Sequence, residues 1–190
     1  MKKKIYTLLG IVIIFACAFV VQRNIADSKA IHFDPQQLTV MEALHAGMLE
    51  AKKWDSGAVP LYLTSVDDEL GKKSGQDGRR RRWNLQVSTP DHKRAVVSIR
   101  DGIVEKVYPG VGPYIPEMVV SSEEINIDSP QLVKKSKQER NLLPGIDWAN
   151  GYHFVLQVLN GQSTITVVGL DNSTKLQQII YDSSSGEIMN

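Results

Sequence analysis

Hydrolytic and metal chemistry both need side chains that converge, and spacing is the first sign of convergence. The four histidines, His32, His45, His92 and His153, are scattered along the chain with no H-E-x-x-H spacing. That spacing is what sets two imidazoles on one helix face for zinc. No G-x-S-x-G elbow is present to raise a serine nucleophile. Gly110-Val111-Gly112-Pro113 is glycine-rich but makes a poor phosphate cradle, because Pro113 lacks an N–H and no helix follows at once. Asp67-Asp68-Glu69 and Glu123-Glu124 have no fixed partner in sequence and read as solvated loops, with weak calcium binding as the alternative. The single cysteine, Cys17, lies in an apolar N-terminal run, so the rest of the chain has neither a disulfide nor a thiol nucleophile. The expectation is a protein without catalytic residues, metal or cofactor.

Binding chemistry is better represented. Arg79-Arg80-Arg81-Arg82 is the most pronounced charge feature and could grip anionic headgroups, wall polymers or an acidic partner face. The competing reading, which the neighbourhood favours, is a solvated hairpin end neutralised by Asp67, Asp68, Glu69 and Asp77. Trp54, Trp83, Tyr114, Trp148 and Tyr152 could build a ligand face, although aromatics near strands are more often core. Trp148 follows a Pro-Gly turn and is the first choice for partner contact, with Tyr152, Arg79, Arg80 and Arg81 completing the candidate set. His153, beside Tyr152, reads as a structural or surface residue rather than a ligand.

The rest of the chain must hold these residues in place. Of the 190 residues, Lys2, Lys3 and Lys4 precede an apolar run from Ile5 to Val21. Seventeen residues reach about 25 Å as a helix, just short of a hydrocarbon core of about 30 Å. Lysines before the run place the N-terminus in the cytoplasm and the remainder outside. An uncleaved transmembrane anchor over residues 1–23 is the preferred reading. A cleaved signal peptide, giving a secreted form, and a lipoprotein signal at Ile14-Phe15-Ala16-Cys17 are the alternatives. The net charge of +1 gives no field that would argue for nucleic acid.

Residues 24–37 form a polar linker. Thr39-Val40-Met41-Glu42 is a capping-box pattern, and Met41, Leu44, Met48 and Ala51 follow at helical spacing behind Leu38. The first helix should stop by Asp55-Ser56-Gly57. Strands are expected at Ala58 to Val66, Trp83 to Ser88, Arg94 to Arg100 and Ile103 to Tyr108, with Pro60 confining the first to an edge or a start. Asp101-Gly102 and Thr89-Pro90-Asp91-His92 are the turns between them. Residues 109–126 read as a Pro/Gly-containing linker with a short strand at Met118 to Ser122. A second helix begins at Asp128 or Ser129 with Pro130 in its first turn, buries Leu132, Val133, Ser136, Arg140 and Leu143, and ends at Pro144-Gly145. Strands follow at Tyr152 to Leu159, Thr164 to Leu170 and Leu176 to Tyr181, with turns at Asn160-Gly161 and Asp171-Asn172.

Sliding the chain by 82 residues lays Trp83-Asn84-Leu85-Gln86-Val87 on Ile165-Thr166-Val167-Val168-Gly169, and the turn Thr89 to His92 on Asp171 to Thr174. Helix, strands and glycine turn recur in the same order. The fold class expected is α+β: an N-terminal transmembrane helix, then two helix-plus-antiparallel-sheet (α-β-β-β) units over 38–108 and 127–190.

Ile127-Asp128-Ser129-Pro130, the run from Pro144 to Phe154, Val168-Gly169-Leu170-Asp171 and Ile180-Tyr181-Asp182 with Gly186-Glu187-Ile188 resemble a PepSY-type domain, as does Trp83 to Val104. Such domains occur in metallopeptidase propeptides and in bacterial membrane-anchored envelope proteins. The resemblance implies a cystatin-like helix-on-sheet fold and a non-catalytic role, the restraint of peptidases. With no peptidase in this sequence, the expected partner is a separate envelope peptidase or wall-lytic enzyme, occluded by a sheet edge or face. The alternative expectation is an envelope sensor for a small ligand or anionic polymer, using the sheet face and the arginine run.

Overall fold

The computed structural model describes residues 36–146 and 149–189. The expected anchor, nearly all of the linker after it, and Trp148 lie outside the described residues. Among the described residues no helix is long and apolar enough to cross a membrane.

Among the described residues, two α-helices lie on one seven-stranded antiparallel sheet. The elements are α1 (Val40–Trp54), β1 (Val59–Ser65), β2 (Arg82–Ser88), β3 (Lys93–Arg100), β4 (Ile103–Val111), α2 (Ser129–Arg140), β5 (His153–Leu159), β6 (Gln162–Leu170) and β7 (Leu176–Asp182). Strand order is β4-β3-β2-β1-β5-β6-β7. The α+β expectation therefore holds. The two helix-and-strand units are, however, fused into one sheet by antiparallel pairing of β1 with β5, in which Leu63 opposes Leu156.

The two halves share a register. Adding 82 to the β2–β3 pairs Trp83↔Ile99, Leu85↔Val97 and Ser88↔Arg94 gives the β6–β7 pairs Ile165↔Tyr181, Val167↔Ile179 and Leu170↔Leu176. The turns correspond as well. His92 and Thr174 both adopt positive φ (62° and 61°), and their amides donate to Thr89 and Asp171 respectively. Asp101-Gly102 and Asn160-Gly161 are tight hairpin turns with both residues at positive φ, the conformation that matches strand twist.

Residues directly opposed in a sheet point to the same side. Leu85, Leu63, Leu156, Ile165 and Tyr181 thus form one row across five strands. Both helices pack on that row's side: Gly47 of α1 meets Leu85 and Ile99, and Ser136 Oγ of α2 lies 2.8 Å from the Tyr181 hydroxyl. The core is this row with Trp83, Val97, Phe154, Val167 and Ile179, closed by Leu44, Leu132 and Val133 from the helices.

Thr39 caps α1 with the expected box: its hydroxyl accepts from Glu42 N and its amide donates to Glu42. The buried stripe is rotated from the expected one. Val40, Ala43, Leu44, Gly47 and Ala51 face the sheet, while Met41 is exposed, because the small residues let the helix approach the sheet closely. Asp128 caps α2, which ends at Arg140 with Asn141 in the left-handed conformation, before Pro144-Gly145 is reached. Arg140 and Leu143 are exposed and do not join the stripe. The two helix starts meet. Met41 N donates to Asp128 Oδ1 at 3.1 Å, Ser129 N donates to the same oxygen at 2.7 Å, and Val40 N donates to Ser129 Oγ at 3.0 Å.

Pro60 sits at the start of a central strand, not on an edge. The β1–β2 register shifts between Pro60 and Tyr62, β5 pairs only from Tyr62 onward, and Val120 N donates to the Pro60 carbonyl. β4 runs on to Val111, taking Pro109 and Gly110 into an edge strand, where proline is tolerated. Instead of a strand at Met118 to Ser122 there are 3-10 turns at Pro116–Met118 and Ser122–Glu124. This connector is packed, with Val120 and Ile125 in the core and Ser121 N donating to Ser163 Oγ.

Candidate functional site

At one end of the sheet the loop 66–81 joins β1 to β2 and carries both the acidic and the arginine clusters. Arg80 is anchored by backbone pairing with Leu38, and its side chain turns inward to 0% exposure. Its Nη1 donates to the carbonyls of Asn150 (2.8 Å) and Tyr152 (3.2 Å), and its Nη2 to Val66 (2.7 Å). Asp67 lies 3.5 Å away and the buried side chain of Asp68 3.7 Å away. Burial pulls the guanidinium pKa down and the two carboxylates oppose that pull. Arg80 is thus a brace between the first half and the lead-in to β5, and it has no surface to offer a partner.

Tyr152 is also withdrawn. Its hydroxyl donates to Leu142 O at 2.8 Å, its ring lies under the Lys137 ammonium at 4.9 Å, and burial pushes its phenol pKa up. The other two candidate arginines are part-exposed but already paired. Arg79 grips Glu42 through Nη1 (2.7 Å) and Nη2 (3.1 Å). Arg81 grips Asp101 through Nε (2.6 Å) and Nη2 (3.0 Å), which holds the Asp101 carboxyl below its usual range. Arg81 and Arg82 also reach Glu69, at 2.9 and 2.7 Å. The candidate set is therefore not gathered into one surface: two members are core, two are in ion pairs, and Trp148 lies outside the described residues.

Against Arg80 the structure builds a row that spacing gave no sign of. Ser65 Oγ lies 3.2 Å from His153 Nδ1, and His153 Nε2 lies 2.8 Å from Asp67 Oδ1. Burial lowers the His153 pKa, the Arg80 charge lowers it further, and Asp67 pulls the other way. A neutral ring donating from Nε2 to Asp67 and accepting at Nδ1 from Ser65 satisfies both neighbours. The connectivity is that of a serine–histidine–aspartate row. Its hydroxyl is closed off, since Ser65 is 5% exposed and its Oγ also accepts from Phe154 N at 3.0 Å. A substrate carbonyl cannot approach such an oxygen, and the row acts here as a polar weld between β1 and β5. Among the described residues, no three histidine, cysteine, aspartate or glutamate side chains gather to hold a metal.

One sheet face is turned away from both helices. Across its middle run two uncharged rows, Gln86–Tyr62–Gln157–Thr164 and Asn84–Thr64–Val155–Thr166, in which Gln86 is exposed, Tyr62, Asn84, Thr64, Val155 and Gln157 are half-buried, and Thr164 and Thr166 are buried. Charge lies around them, at Arg82, Arg94, Arg100, Lys106 and Asp182. A charge-depleted centre inside a charged rim is the composition of protein interfaces. The sheet's two edges differ. β4 is bare, with Val111 90% exposed, whereas β7 is partly covered by the bridge Tyr181↔Ile188 and by Met189 N donating to Ile180 O.

No protein-family model matches the chain, and no curated protein matches it. A solved structure of similar fold is that of a protein from Clostridium difficile 630 described as a "putative lipoprotein", with a TM-score of 0.57. The likeness covers 80% of this chain and 96% of that one at 13% identity, and at that identity it shows the fold alone.

Proposed function

We propose that the chain is a membrane-anchored, extracytoplasmic binding protein of PepSY type, without catalytic activity. It restrains an envelope peptidase or wall-lytic enzyme by laying its open sheet face across it. The observation that carries this reading is the uncharged accessible centre of that face, Gln86 and Asn84 on β2, Tyr62 and Thr64 on β1, and Val155 and Gln157 on β5, inside a charged rim. The envelope location rests on the triple lysine and apolar run of residues 2–21. The fold likeness to a protein described as a "putative lipoprotein" accords with it. Docking through the face suits this sheet better than docking through the β4 edge. That edge carries the charges of Glu105 and Lys106, a register shift opposite Ser98/Ile99 and Pro109, all of which discourage strand addition.

The test is a photocrosslinking residue at position 64, in place of Thr64, in the full chain in its membranes. The expected product is an adduct with an envelope peptidase or wall hydrolase. The same probe in place of Lys134, on the outer side of α2, should yield roughly tenfold less, as expected for a site outside the interface. Equal capture from the two positions would remove the docking face, and adducts without any such enzyme would remove the restraint.

A further inference from the structure

We infer that Arg81, Arg82 and Arg100 form a binding site for a phosphate group, with Glu69 as its built-in competitor. The site goes beyond the docking face and does not depend on it.

Arg82 and Arg100 are directly opposed in the β2–β3 register. Like charges opposed in this way repel, so the pair is not explained by sheet stability. Arg81 brings a third guanidinium. One flexible carboxylate serves all three: Glu69 Oε1 lies 2.7 Å from Arg82 and 3.4 Å from Arg100, and Oε2 lies 2.9 Å from Arg81. Asp101 occupies the remaining face of Arg81 and reaches Arg100 only at 3.7 Å. The four carboxylate oxygens of Glu69 and Asp101 are few for three guanidinium groups, each with five N–H donors. The Arg82 Nε shows the shortfall, being buried without a hydrogen-bond partner among the described residues. A buried donor left open is costly and asks for an explanation. A phosphate group brings one or two more acceptor oxygens and more charge, which is what the cluster lacks.

Space exists beside it. A cavity of about 200 Å³ is lined by Arg82 and Arg100, with Asn84 and Ser98 contributing an amide and a hydroxyl. Glu105 lines it too, within 3.5 Å of Ser98 Oγ, so the anion is confined to the arginine side and its affinity is tempered. Glu69 is 56% exposed, and exposed ion pairs are weak, so displacing it costs little.

The experiment titrates the full chain, in neutral detergent at low ionic strength, with inorganic phosphate, against chloride at matched ionic strength. Arginine Nε–H resonances and heat of binding are the readouts. Phosphate should bind, and E69Q should bind it about fivefold tighter once the competitor is gone. Adding R82Q and R100Q to E69Q should abolish the gain while far-UV circular dichroism and the melting temperature show the fold intact. A second arm measures sedimentation of E69Q with vesicles of phosphatidylcholine containing roughly a quarter phosphatidylglycerol. Saturation by free phosphate supports a soluble phosphate ligand, whereas capture of E69Q by these vesicles beyond its capture by pure phosphatidylcholine vesicles, and lost in the triple variant with the same apolar run, supports a lipid headgroup. The proposal fails if E69Q binds neither better than the wild type, or if chloride matches phosphate.

Discussion

In the first half, α1 comes down on the sheet through Ala43, Gly47 and Ala51, and the strands meet it with Leu85 and Ile99. In the second half the size relation is reversed. The strand gives way at Gly169, and Leu142 and Leu143 press in, while α2 brings Leu132 and Val133. Val87 and Gly169 occupy the same register position 82 residues apart, yet one is a packed side chain and the other is an absence of one. Register is set by turns and alternation and survives such exchanges. Volume is set across the helix–sheet gap and is balanced locally in each half. The halves also end differently. β3 is followed by a nine-residue strand, β4, whereas β7 is followed by one bridge, Tyr181↔Ile188, so among the described residues only the first half displays a bare edge.

The largest expected effect strikes where the halves join. Arg80→Ala removes donors to Val66 in one half and to Asn150 and Tyr152 in the other, and strands the buried Asp68. A loss of about 3–5 kcal/mol in urea unfolding is expected. A loss under about 1 kcal/mol, the size of an exposed pair, would mean that Arg80 does not brace the halves.

The next effect tests the reversed packing. An added Cβ at Gly169 would stand 2.5 Å from the Leu143 backbone oxygen, which cannot swing away, so Gly169→Ala should cost about 2 kcal/mol. At Gly47 the obstacle is the Leu85 Cδ2 tip at 2.7 Å. The clash there is offset by about 1 kcal/mol of helix propensity, so Gly47→Ala should be near neutral. Thermal melts of the two variants side by side decide it, and the reverse order would end the contrast.

The smallest effect is one of pH. His153 has its folded pKa below 6.5, from burial first and the Arg80 charge second, with Asp67 opposing. Between that lowered value and 6.5 the unfolded chain binds more protons. Stability is therefore fully present above about pH 6.5 and declines as pH falls through the window. Urea midpoints at about pH 7.5 and about pH 5.5 should show the decline in the wild type and less of it in His153→Gln. An equal decline in both would assign it to other groups.

Local chemistry made much of this fold legible. The capping box at Thr39, the Asp101-Gly102 and Asn160-Gly161 turns and all seven strands could be read because each depends on residues close in sequence. The β1–β5 pairing could not, because it depends on which strand edges the two halves leave open. Pro60 left an edge and a strand start both open; the structure takes the start, where the missing N–H costs nothing because β5 begins to pair only at Tyr62. Of four consecutive arginines, the sequence offered no sign that Arg80 alone turns inward. Ser65, Asp67 and His153 carry no shared motif and meet only because β1 lies beside β5.

The meeting of the two helix starts has a consequence in time. Val40 N and Met41 N find their acceptors in Ser129 and Asp128, 89 and 87 residues further along the chain. A ribosome adding about 5–20 residues each second needs on the order of ten seconds to cover that interval. Throughout it α1 has its own box at Thr39 but two amides still open. The first half thus emerges with a helix that is begun and not finished, and the chain can complete that helix only by making the next one.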